Sequence, residues 1–282
     1  FDTIFKLMNQ ASNAPSVPSA SQGSGTITEL KEIDGPGAFS FLVTDSVAGA
    51  TGTLHGGCGL AATGIALERV TGRPISFIAG QYLSRAPDGS TVQVHVEELA
   101  VGNRVTQAAA LITLDQQIVL RASAALGGHD LGIDRQWCAL PEVPPPGECE
   151  SRPLTSESGN SFTDQADIRL AGQVAGENTV MYWARLTNVV SSNPDSLIAL
   201  ADLIPSGMRV SLDAGFRGSS LDHSVKITGT GNSDWVLLRI TSSAIRNSIG
   251  HGAVEIFSPD GQLLAVGSQS FAISSITGVL DR

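Results

Sequence analysis

The sequence predicts an α+β fold in which one unit occurs twice, each copy an antiparallel sheet curled around a single helix. Three observations lead to it. The order of strand-like and helix-like segments in the first half of the chain recurs in the second. A proline-rich stretch separates the two runs. Two pairs of segments align across that stretch at nearly the same offset. The 282 residues suffice for two units of ordinary size.

The first run opens with two strand-like segments, Gly25–Ile33 and Gly37–Asp45. A helix follows over Gly57–Val70, stopped by Thr71-Gly72. Its Gly57, Gly59, Ala61, Ala62 and Gly64 suit a helix approached closely by a curved sheet. Four more strands are expected at Ile75–Ser84, Thr91–Leu99, Arg104–Leu114 and Gln117–Leu126, the last two joined by a tight Asp115-Gln116 hairpin.

The second run repeats this order. Ala166–Gly172 and Thr179–Thr187 read as strands and Asn193–Ile204 as a helix ending before Pro205. Strands then follow at Ser219–Thr228, Trp235–Ser242, Gly250–Phe257 and Gln262–Ala272, with Pro259-Asp260-Gly261 as the last hairpin turn. Residues 91–104 match 235–248 with an offset of 144, and 115–127 match 260–272 with an offset of 145. Either match alone is what any two amphipathic hairpins show; their agreement, with the same element order, points to an internal duplication. A strand pair, a long helix and a four-stranded meander, used twice, describe a tandem (double) hotdog.

Pro141–Pro153 carries five prolines in thirteen residues. Proline cannot donate to a sheet ladder and favours extended backbone, so the stretch reads as a linker, or as a surface loop within one domain. The expected division is 1–140, a linker at 141–153, and 154–282.

Composition narrows the function. A net charge of −10 argues against nucleic acid as a partner, although a local basic patch can override it for a smaller anion. No apolar run reaches the roughly 18 residues that a membrane span requires. Phe1–Gln10, with Asp2, shows no leader pattern. Cys58, Cys138 and Cys149 form no framework and read as free thiols in a reducing cytoplasm. Only 16% of residues are charged, which suggests surface buried between domains or subunits, and a homo-oligomer packed through its sheets is expected. The five histidines stand singly, without metal-ligand spacing, so neither metal nor cofactor is expected.

Three places stand out chemically. The second helix starts with Asn193 at the N-cap, Pro194 and Asp195, and runs on as an apolar stretch broken by Asp202. A carboxylate there is either desolvated and partnered, or exposed at the helix end. The segment 218–227 offers Ser219, Ser220, Asp222, His223 and Ser224; consecutive Asp222, His223 and Ser224 alternate across a strand and cannot form a relay. Gln269 interrupts the last strand on the face of Gly267 and Phe271, where it is either buried and bonded or turned to solvent.

An Asp on the helix, a hydroxyl residue ahead of Asp-His, and a Gln on the last strand together resemble the double-hotdog acyl-CoA thioesterases of the thioesterase II type. The strings at 221–224, 234–238 and 258–270 look like that family's second hotdog. The resemblance implies hydrolysis of acyl-CoA without a cofactor, with Asp202 as general base and Ser220 and Gln269 orienting a water molecule. It further implies backbone amides near a helix start for the oxyanion. Ser220 stands where the family has Thr, and residues 270–274 depart from the family's pattern after the Gln. By the repeat, Asp202, Ser220 and Gln269 fall on Gly64, Ser76 and Ala124, so the first half is expected to be a structural partner.

His55-Gly56-Gly57 resembles the helix start of single-domain hotdog thioesterases, with Glu68 as the only carboxylate along its helix. Its glycines are otherwise read as helix–sheet packing. Cys58 has no evident catalytic partner. Lys226, Arg239 and Arg246 could meet coenzyme A phosphates, or be solvated. A non-catalytic acyl-CoA-binding scaffold is the chief alternative, favoured by the acidic charge and by Ser220. A hydratase is disfavoured because 191–196 holds an Asp without a His.

Overall fold

The computed structural model describes residues 25–153, 159–173 and 178–277; the leader reading of Phe1–Gln10 lies outside them. Thirteen strands form one antiparallel sheet. In chain order they are β1 (Lys31–Glu32), β2 (Ala38–Leu42), β3 (Ile75–Tyr82), β4 (Thr91–Val101), β5 (Val105–Leu114), β6 (Gln117–Gly127), β7 (Glu150–Ser151), β8 (Asp167–Gln173), β9 (Thr179–Arg185), β10 (Gly215–Ile227), β11 (Val236–Arg246), β12 (Ile249–Phe257) and β13 (Leu263–Thr277). Their order across the sheet is β1-β2-β4-β5-β6-β3-β10-β13-β12-β11-β9-β8-β7. The first-half strands thus lie on one side and the second-half strands on the other. The seam is the antiparallel pairing of β3 with β10, in which Ala79 faces Ser224.

The strands form where side chains alternate. In β5, Thr106, Ala108, Ala110 and Ile112 are buried while Val105 and Gln107 are exposed. Asp115 and Gln116 take φ of 49° and 69°, the two left-handed positions that a two-residue hairpin of right-twisted strands needs. The strand expected over Gly25–Ile33 is confined to Lys31–Glu32.

Each half of the sheet curls around helix. In the first half this is α1 (Gly56–Thr71), ended by Gly72 in the left-handed conformation, whose N–H caps the Glu68 carbonyl. Leu60 on α1 is fully buried, and its Cδ1 comes so near Gly80 of β3 that a Cβ there would sit 2.8 Å away. In the second half a single turn, α2 (Phe162–Gln165), precedes β8, and the enclosed helix begins as α3 (Pro194–Leu200) after β9. The expected stop before Pro205 does not occur: α3 tightens into a 3-10 turn over Ala201–Leu203 and resumes as α4 (Ile204–Leu212). Proline is tolerated in the first turn of a helix, but its ring crowds the carbonyl four residues back, here Ala201. Pro205 therefore deforms the helix without ending it.

The two helices meet at the centre, where a Cβ on Gly64 of α1 would be 3.2 Å from Ile198 of α3. One continuous apolar core runs through both halves. A smaller cluster lies elsewhere, formed by Ala171, Met181, Trp183, Leu237 and Phe257. The proline-rich stretch helps to cover it. Leu140, Val143 and Cys149 pack there, and Trp183 Nε1 donates to the Pro144 carbonyl at 2.9 Å. The stretch also joins the sheet where proline is absent, through Glu150 and Ser151 paired with β8.

Leu60→Ala leaves a cavity that the glycine beneath it cannot fill. It is expected to cost about 2–5 kcal/mol, read as a lowered urea midpoint with an unchanged slope.

Candidate active site

Asp202 sits in the 3-10 turn and is 7% exposed, so the reading of an exposed helix end is overturned. The turn packs against β13, where a Cβ at Gly267 would be in ordinary contact with Ala201 at 3.5 Å. Asp202 Oδ2 accepts the backbone N–H of Gly57 at 2.6 Å. Its Oδ1 accepts from Gln269 Nε2, which also donates to Ser220 Oγ at 3.0 Å. Asp202, Ser220 and Gln269 are thus brought into one hydrogen-bonded set.

Gln269 is 2% exposed, on the inward face with Gly267 and Phe271 that strand alternation implies. Ser220 arrives differently. Strict alternation would put it on the opposite face from buried His223, three positions on. A register shift between Ser220 and Asp222 turns both inward. The same shift occurs between Ile75 and Phe77 of β3. In both halves the next aligned pair is in register, Ile78 with Ala124 and His223 with Gln269, an offset of 145. That offset matches Ser220 to Ile75, and the expected match to Ser76 is off by one because Ser76 is the bulged residue.

The first half, expected to be a structural partner, also reaches the Asp202 carboxylate. His55 occupies the N-cap position of α1, and its Nδ1 lies 3.6 Å from Asp202 Oδ2. Its ring leans on Phe162 at 5.0 Å between centroids. A Cβ on Gly57 would be 2.6 Å from the Ala199 carbonyl oxygen and 2.8 Å from Asp202 Cβ. One on Gly56 would be 2.9 Å from Asp202 Oδ2 and 3.1 Å from Tyr82 Cζ. Gly57 therefore serves contact with the second helix, where helix–sheet packing was expected, while Gly56 meets both Tyr82 of β3 and Asp202. His55, Gly57 and Glu68 do not form a separate site: Glu68 accepts the Ile75 N–H at 2.8 Å, toward the far end of α1.

Burial pushes the His55 imidazole below its ordinary value; Asp202 opposes this and Arg152 adds to it. His223, fully buried, is lowered by the same desolvation, opposed by Asp202 and reinforced by His55. Burial, then the charge of Asp202, drives the Tyr82 phenol well above its ordinary value. The Cys58 thiol is likewise pushed well up by burial, Asp202 and Asp195, against the lowering that a helix start alone favours. His223 was singled out in the sequence but given no place beside Asp202, because strict alternation sets it on the opposite face from Ser220. Tyr82 escaped the sequence reading, since nothing local singled it out. Among buried side-chain atoms without a protein hydrogen-bond partner are His55 Nδ1, both His223 nitrogens, the Tyr82 hydroxyl and Gln269 Oε1.

Elsewhere, Asn193 takes the N-cap position of α3 without a side-chain capping bond, and Asp195 turns inward to accept the Ile27 N–H at 2.8 Å. Arg239 pairs with Glu255, and Lys226 Nζ donates to Ser224 Oγ at 3.2 Å. Among the described residues, no group of three or more His, Cys, Asp or Glu could hold a metal ion, and no helix is long and apolar enough to cross a membrane.

Two imidazoles held neutral by burial take up protons more readily in the unfolded chain than in the fold. Stability therefore falls as pH drops below the ordinary value of 6.5 and continues to fall until the lowered folded values are reached. Each contributes a slope of up to about 1.4 kcal/mol per pH unit. Denaturation from about pH 8 to about pH 5 is expected to show this loss, with a smaller slope in His223→Gln; an equal slope would overturn the assignment.

Comparisons with known proteins agree with this architecture. Residues 44–127 match the family model of the acyl-CoA thioesterase N-terminal domain, and residues 140–273 that of the C-terminal domain. The comparison with curated proteins finds no match. Among solved structures, a provisionally assigned thioesterase from Novosphingobium aromaticivorans is 26% identical, with a TM-score of 0.82 over 87% of this chain and 98% of that one. A hotdog-fold protein of unknown function from Alicyclobacillus acidocaldarius is 16% identical, with a TM-score of 0.76 over 89% and 97%. An acyl-CoA thioesterase II from Mycobacterium marinum is 17% identical, with a TM-score of 0.71 over 88% and 96%. The fold is a tandem hotdog. With both domain models of one family matched in order along it, the chain belongs to the acyl-CoA thioesterases and is a thioester hydrolase.

Proposed function

We propose that the protein hydrolyses acyl-CoA by direct attack of water, with Asp202 as general base and Ser220 and Gln269 orienting the water. The observation that carries this reading is the Gln269 amide, which bridges the Asp202 carboxylate and the Ser220 hydroxyl inside a buried site. The N–H donors of Gly57 and Gln269 fix the carboxylate, and a carboxylate has lone pairs beyond those two bonds with which to accept a proton. Ser220 Oγ and Gln269 Oε1 offer further polar contacts beside it.

Asp202 removes a proton from water as the water oxygen bonds to the thioester carbonyl carbon. The tetrahedral intermediate then collapses. The carbon–sulfur bond breaks, and the leaving thiolate takes the proton back from Asp202. The products are a carboxylic acid and coenzyme A with a free thiol. Thioesters are already activated toward water, so no acyl-enzyme is needed. Holding the water and the base in one rigid set supplies the orientation that a free carboxylate lacks.

Asp202→Asn keeps the volume and loses the basic oxygen. It is expected to lower kcat by roughly 10²–10⁴-fold with little change in KM, followed by release of free thiol. Gln269→Ala should also slow turnover, whereas Glu68→Gln should not. Full activity in Asp202→Asn beside loss in Glu68→Gln would move the reacting carboxylate to the first half.

A further inference from the structure

We propose that Tyr82 is a further catalytic residue, its phenol donating a hydrogen bond to the thioester carbonyl oxygen as that oxygen gains negative charge. This rests on the reading of Asp202, Ser220 and Gln269 as the water-holding set.

The first argument is position. Tyr82 is the last residue of β3, and the β3–β10 pairing ends with Gln81 opposite Asp222. Tyr82 thus comes level with the bulge that turns Ser220 inward. Gly56 brings the ring close. A Cβ there would touch both Tyr82 Cζ at 3.1 Å and Asp202 Oδ2 at 2.9 Å, so the oxygen-bearing end of the phenol and the carboxylate flank one point that only glycine leaves open.

The second argument is the hydroxyl. The Tyr82 side chain is only partly buried, yet its oxygen is covered and has no protein hydrogen-bond partner. Buried hydroxyls are nearly always bonded, and a catalytic role is one of the explanations for an exception beside a reacting group. Burial and the nearby negative groups keep the proton on the oxygen, so the group is a donor throughout the reaction.

The third argument is what the helix start can supply. The resemblance offers backbone amides near a helix start to the oxyanion, and one amide at the start of α1, the Gly57 N–H, is committed to Asp202 Oδ2. The Tyr82 hydroxyl offers a donor to the carbonyl oxygen from another wall of the site. It keeps its own proton: the only proton transferred in the cycle passes between water, Asp202 and the leaving sulfur.

Tyr82→Phe retains the ring and removes only the hydroxyl, so thermal unfolding should be nearly unchanged. The expected result with acyl-CoA is a kcat lowered by about 10²-fold or more, the usual loss on removing one oxyanion donor. KM should change little, and the acid limb of the kcat–pH profile should stay where it is in the parent protein. Full kcat in Tyr82→Phe overturns the proposal. So does a loss accounted for by a displaced acid limb, because the hydroxyl would then act through Asp202. Asp202→Asn measured alongside separates the two readings. An inactive Asp202→Asn with a fully active Tyr82→Phe removes the phenol alone. A slowed Tyr82→Phe beside a fully active Asp202→Asn keeps the phenol and removes the base.

Discussion

A carboxylate buried between two helices from different halves of the chain holds this molecule's site together. Asp202 is nearly covered, and a charge in such a place is unfavourable unless hydrogen-bonded. Its partners are a backbone N–H of α1 from the first half and an amide of β13 from the second. Removing the first half would leave that charge short of a donor. The two halves are therefore joined by electrostatic need as well as by the β3–β10 seam and the shared core.

This demand explains local choices that look unrelated in the sequence. Gly56 and Gly57 are glycines because Asp202, Ala199 and Tyr82 lie where a Cβ would go. At Gly267, two residues before Gln269, a Cβ would crowd Ser224 O and Val254 Cγ1 of the flanking strands at 3.1 Å. Pro205 removes a helical N–H and crowds the preceding turn, and the 3-10 segment that carries Asp202 lies immediately before it. Each feature weakens regular structure slightly, as functional sites commonly do.

The duplication has been put to asymmetric use. Both halves keep the bulge, the strand order and the central helix. At corresponding ladder positions the first half has Ile78 with Ala124, and the second has His223 with Gln269. The apolar pair packs; the polar pair lines a site. The first half contributes the His55-Gly56-Gly57 helix start and Tyr82, which the second half lacks at its own helix start, where Asn193-Pro194-Asp195 stands. The candidate site is therefore composite, drawing residues from both halves.

The sequence by itself determined the class of fold and most of its elements. Alternation marked strands such as β5, small residues and a glycine stop marked α1, and the offset of about 145 residues marked the repeat. These signals are local, because backbone period and turn chemistry act over a few residues. Asp202 and Gln269 were legible for the same reason: each is a polar residue breaking an apolar pattern. Ser220 was legible only through resemblance, since its inward direction depends on a bulge that strict alternation contradicts. What only the tertiary structure decided is which half meets which. The closeness of Gly57 to Asp202, 145 positions apart, and the arrival of Tyr82 beside the Ser220 bulge follow from the seam between β3 and β10. Contacts across that distance leave no period in the chain. They exist because folding brings two helices together closely enough that only glycine fits between them.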